Sequence, residues 1–164
     1  MQRRGETVVN DPRETVAELI KANISLTADD GSTPVTPIVE ASGKRALAEQ
    51  QMLLEPKVIV GPFAATPTEA LDLALRRRIY RGVLQLHVWT RDTDLPAQAT
   101  GVKLRHKCCE ELRRIIRENG RSPGGGLLYA RLRNAERDLD ELRSRPLVYH
   151  TVMELELAWS DATP

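Results

Sequence analysis

The stretch Ile79-Tyr80-Arg81-Gly82-Val83-Leu84-Gln85-Leu86-His87-Val88-Trp89 alternates with a period of two. Leu84, Leu86 and Val88 fall on one side, and Arg81, Gln85 and His87 on the other. A helix would bury residues three and four apart, so this spacing predicts a strand with one covered face. Tyr149 to Leu157 repeats the pattern, with Met153, Leu155 and Leu157 opposed to Glu154 and Glu156. Two such strands imply an antiparallel sheet covered on one face and open to water or a partner on the other.

Working outward, Asn10-Asp11-Pro12-Arg13-Glu14 predicts a helix start. Asp11 can cap it, Pro12 suits its first position, and Glu14 can reach back to the cap. Val16, Leu19 and Ile20 continue it until about Asn23. Thr27 to Pro34 is rich in turn residues, and Val35 to Ala41 is expected to be a strand that Pro37 confines to an edge. Lys44 to Leu54 suits a short helix or an ordered loop, and Pro56 to Gly61 a second strand. Thr68 to Leu73 is expected to form a helical turn. The third strand runs from Arg76 to Thr90, and Arg91 to Asp94 turns the chain.

Pro96 to Asn119 is a second helix, with Leu104, Cys108, Leu112, Ile115 and Ile116 on one face. Gly120 is expected to close it in a left-handed conformation. Gly124-Gly125-Gly126 reads as a hinge before a fourth strand from Leu127 to Arg133, extending towards Asp138. Arg143 to Pro146 turns the chain into a fifth strand, Leu147 to Trp159. The expected fold class is α+β: a mostly antiparallel sheet of four or five strands, two helices on one face, in the order α-β-β-β-α-β-β. Residues 1–9 read as an arm, 10–161 as one domain and 162–164 as a tail.

The 164 residues suffice for one domain with a real core. Aromatic residues make up 4%, so aliphatic side chains must fill that core. Twenty-four basic residues oppose 23 acidic ones, a balance that argues against a dedicated nucleic-acid-binding domain. No apolar run approaches the length of a membrane-spanning helix, and no apolar stretch follows the basic start as in a signal peptide. Adjacent Cys108 and Cys109 are poorly placed to bridge each other and are expected to stay thiols.

Each motif that suggests chemistry meets a simpler account. A phosphate loop at Gly124 to Gly126 would need a following helix and a lysine, and a strand follows instead. His106 and Cys109 share a helix neighbourhood, but two ligands make no zinc site and no second pair accompanies them. Glu154 and Glu156 share a strand face, which suits a solvated or partner-facing surface better than an acid–base pair. The basic run Arg76-Arg77-Arg78 could touch phosphates, but Glu110 and Glu111 interleave the basic residues of the second helix and stacking aromatics are scarce. No catalytic residue, cofactor site or metal site is expected. His87 and His150 are expected on the open face, close together if their strands are neighbours. With Arg81, Gln85, Glu154 and Glu156 they are the candidate residues of an assembly face.

These residues bring the chain close to a known group. The opening Asp11 to Val16, the short strand Pro56 to Val60, the strand ending Leu86-His87-Val88-Trp89-Thr90, the helix closing Leu112-Arg113-Arg114-Ile115-Ile116 and the final strand Val152 to Trp159 together resemble tail-terminator or tail-completion proteins of long-tailed phages and viruses. Lys44 to Leu54 looks like an insertion relative to short members. The resemblance implies a structural virion protein, made in the host cytoplasm and located at the head–tail junction. It implies a homo-oligomeric ring, commonly hexameric, that caps the tail tube and docks to the head connector or stopper protein. Genomic DNA would pass through the lumen without specific recognition, and no membrane, cofactor or catalysis is involved. A head–tail connector or neck protein is the alternative within that class. A small nucleic-acid-binding α+β module and an enzyme of unrecognised type are the alternatives outside it.

Overall fold

The structure is a computed structural model that describes residues 11–42, 56–72, 77–92, 100–140 and 148–160. The expected arm, the Lys44 to Leu54 segment, the turn at Arg143 to Pro146 and the C-terminal tail lie outside the described residues. Helix α1 is Pro12–Asn23. Asp11 Oδ1 accepts a hydrogen bond from Arg13 N at 2.9 Å. Arg13, not Glu14, closes this cap: its Nη2 donates to Asp11 Oδ2 at 2.6 Å. The pairing lowers the Asp11 pKa and raises that of Arg13.

The expected strand around Pro37 is split in two. Strand β1 (Leu26–Thr27) pairs antiparallel with β2 (Pro34–Val35) in a small ribbon. Strand β3 (Ile38–Ala41) starts after Pro37 and runs parallel to β4 (Lys57–Phe63). Strand β5 (Thr68–Asp72) replaces the expected helical turn, because it pairs antiparallel with the first residues of β6 (Arg77–Arg91). A neighbouring strand here outweighs the local preference of Glu69, Ala70 and Leu71 for helix.

Helix α2 (Gly101–Asn119) precedes β7 (Leu127–Asp138) and β8 (Val148–Ser160). The main sheet has the order β3-β4-β6-β8-β7, with β5 also paired to β6. It is thus α+β and mostly antiparallel, with six strands rather than four or five and one parallel pair. Strands β6 and β8 form its spine, in register from Ile79 opposite Ser160 to Arg91 opposite Val148.

Both helices pack on one face of this sheet, α1 over β3 and β4, and α2 over β6, β7 and β8. Leu84, Leu86 and Val88 of β6, with Leu155 and Leu157 of β8, are fully buried there, as are Val16 and Ile20 of α1 and Leu112 and Ile115 of α2. Each such side chain contributes about 1.5–3 kcal/mol by leaving water. At the far end Trp159 stacks between Phe63 and Tyr80, with ring centroids 5.6 Å from each.

Gly120 ends α2 with φ −66°, so the expected left-handed cap does not form. Space is the reason for glycine: a Cβ would lie 2.2 Å from Ala130 O. Ala130 N donates to Gly120 O at 2.8 Å, clamping the helix end to β7. The expected hinge is a tight turn in which Gly124, Gly125 and Gly126 all take positive φ, and Leu127 N donates to Gly124 O at 3.0 Å. Only glycine adopts three such conformations in a row at low cost.

Candidate functional site

The face of the sheet away from the helices carries every expected assembly residue. Gln85 lies opposite Glu154, Val83 opposite Glu156, His87 opposite Val152 and Trp89 opposite His150, with Arg81 one step further along β6. Directly opposed residues in an antiparallel pair share a face, so the six candidates are brought together. They divide into two unlike halves.

One half is sealed. His87 and His150 are 8% and 7% exposed, which corrects the expectation of an open face at these positions. Ile59, opposite His87, is fully buried, and Val152 is 2% exposed. Apolar neighbours contributed by other strands thus surround rings that the sequence alone leaves in water. The Trp89 ring stacks on His150 at 3.6 Å between centroids, and His150 on His87 at 5.1 Å. His87 Nδ1 and His150 Nε2 are 2.8 Å apart, and His87 Nε2 is 3.2 Å from Gln85 Oε1. With the Gln85 oxygen towards the ring, the matching tautomer has the His87 proton on Nε2 and His150 Nε2–H donating to His87 Nδ1.

Both imidazoles are held neutral. Burial, then the neighbouring His87, brings His150 down to about 4. Burial, then the charge of Arg137, lowers His87. Among the described residues no carboxylate bonds either ring; Asp140 Oδ1 instead accepts from the main-chain N of His150 at 3.0 Å. The pair forms a packed polar connection between β6 and β8, with no carboxylate among the described residues to orient it as a general base. Lys57, opposite Trp89, is also buried, with its Nζ 3.5 Å from Glu40 Oε2.

The other half is wetter and charged. Arg133 Nη1 lies 3.2 Å from Glu154 Oε2, and Arg131 Nη2 lies 3.0 Å from Glu156 Oε2. Tyr129 Oη donates to Glu156 Oε1 at 3.2 Å. The Arg131 bond, foremost, lowers the Glu156 pKa. Arg81 is exposed and Gln85 half-buried. Sequence reasoning missed Tyr129, Arg131, Arg133 and Trp89 as members of this face. The alternation on β7 and the odd-numbered positions of β6 could have placed them.

Elsewhere, His106 is exposed while Cys109 is buried, and burial pushes the Cys109 thiol up to about 11. Among the described residues no three His, Cys, Asp or Glu side chains gather as metal ligands, and no helix is long and apolar enough to cross a membrane. No family of known proteins matches the chain, and no curated protein shows significant similarity to it.

Proposed function

We propose that the protein is a structural virion component of the head–tail junction. It forms a ring, hexameric in the leading case, that terminates the tail tube, contacts the head connector and lets DNA through its lumen. The observation that carries this reading is the spine of β6 and β8, with helices on one face and the polar ladder Arg81, Gln85, Glu154 and Glu156 on the other. A long two-strand ladder backed by helices is a stiff plate, and a ring built of plates needs polar complementary faces that stay soluble before assembly. The segments that resemble tail terminators also sit at structural joints: Leu86 to Thr90 closes β6, and Leu112 to Ile116 packs α2 onto the sheet. A neck or connector protein would use the same plate.

Light scattering across concentration and salt, with negative-stain microscopy of the same sample, tests this reading. A closed ring of about six copies, or a concentration-driven rise towards one, is the expected result. A chain that stays monomeric at all concentrations and fails to associate with tail tubes overturns it.

A further inference from the structure

A groove lies where the second half of α2 meets the free edge of β7, and it encloses about 480 Å³. Its floor is apolar, made by Ile116, Ala130 and Leu132. Its rim is cationic: Arg113, Arg117 and Arg121 line it from the α2 side, Arg131 borders it with its guanidinium beside Glu156 on the other sheet face, and no carboxylate lines it among the described residues. Two of the four are held in place, Arg113 by Glu110 and Glu136, and Arg131 by Glu156. Arg117 and Arg121 are exposed and have no ion-pair partner among the described residues. The Gly120–Ala130 hydrogen bond fixes the inner end of the groove. Strand β7 is the edge of the sheet on this side, so beyond Ala130 its outward main-chain groups face no neighbouring strand among the described residues.

From this arrangement we infer that the groove binds an extended peptide segment that carries both acidic and apolar side chains. The strand edge offers main-chain hydrogen bonds, the floor takes apolar side chains, and the arginines of the α2 side take neighbouring acidic ones. An apolar floor favours such a segment over a phosphodiester backbone, which has no apolar side chain to bury. Edge protection alone would account for the scattered charges of β7 but not for an apolar floor bordered by the arginines of α2. The inference goes beyond the ring and requires no oligomer.

Fluorescence anisotropy on the full chain tests it, with a short fluorescein-labelled peptide alternating glutamate and leucine as probe. Binding that weakens with added salt is expected, together with a loss of at least about tenfold when Arg117→Gln and Arg121→Gln are combined. Both side chains are exposed and unpaired, so the double variant should keep the wild-type melting midpoint. Any of four results overturns the inference: no binding of the probe, equal binding by the double variant, equal binding of a glutamine–leucine peptide, or tighter binding of an oligothymidylate of matched charge. The last would mark the groove as a phosphate-reading surface. A monomeric protein that still binds the probe keeps this inference while removing the ring, and a ring that ignores the probe does the reverse.

Discussion

At the level of single residues, the buried imidazole pair makes the fold sensitive to acid. A histidine whose folded pKa is depressed takes up its proton more readily when unfolded. The unfolded chain therefore binds more protons between its ordinary value near 6.5 and the folded value of about 4 for His150. Stability is complete above about pH 6.5 and falls as pH drops through that window. The positive charge of Arg137 opposes protonation of His87 further, while Asp140 favours it at His150. Denaturant unfolding from pH 8 to pH 4 should lose roughly 1–3 kcal/mol beyond the drift caused by exposed carboxylates. His150→Gln should flatten that slope even though it lowers stability at pH 8; an unchanged slope would remove the pair as its source. Two glycines give a second residue-scale contrast. Gly120→Ala drives a Cβ into Ala130 O and should cost about 2–3 kcal/mol. Gly124→Ala meets nothing within 4 Å but must hold φ +79°, and should cost only about 1 kcal/mol. Chemical denaturation of both variants distinguishes steric from conformational cost.

Among the elements, α2 and the β6–β8 pair were legible in the sequence because their periodicity is long and unbroken. Leu104, Cys108, Leu112 and Ile115 fall at helical spacing, and each is buried against the sheet. Leu112→Ala should therefore cost about 3 kcal/mol, read as a shift in denaturation midpoint at constant m value. A loss below 1 kcal/mol would mean that the α2 seam repacks freely. What the sequence did not show is what other segments decide. Strand β5 carries residues that suit a helix, and it is extended only because Thr68 to Asp72 lie against Arg77 to Arg81. The parallel pairing of β3 with β4 spans a segment whose pattern is silent on direction. Likewise the alternation of β6 assigned His87 to the right face, yet not its burial, which it shares with its neighbours Ile59 and Val152 on two other strands. Face is a local property of a strand, whereas shelter is not.

For the molecule as a whole, the two halves of the back face set what an assembly contact can use. The His87–His150 half is already desolvated within one chain, so it offers little new area to a neighbour. The half with Arg81, Gln85, Glu154 and Glu156 keeps water and charge of both signs, Arg131 and Arg133 being paired there with the glutamates. Partly exposed ion pairs of this kind contribute at most about 1 kcal/mol each to folding. Placing like charges against each other across an interface costs several kcal/mol. The double substitution Glu154→Lys with Glu156→Lys should exploit that difference. It turns the wet half into a cluster of lysines and arginines, which a single chain relieves by pointing them into water but a ring must press against its neighbours. The variant should keep a cooperative melt, shifted by only a few degrees. If the proposed ring forms, in light scattering the variant should have the mass of one chain where the wild type gives the ring, and high salt should partly restore the oligomer by screening the repulsion. A variant that assembles like the wild type would remove this face from the interface and turn attention to the strand edges. A variant that unfolds would mean that the two ion pairs hold β7 to β8 far more strongly than exposed pairs do, and Arg131→Gln combined with Arg133→Gln would then reproduce the loss.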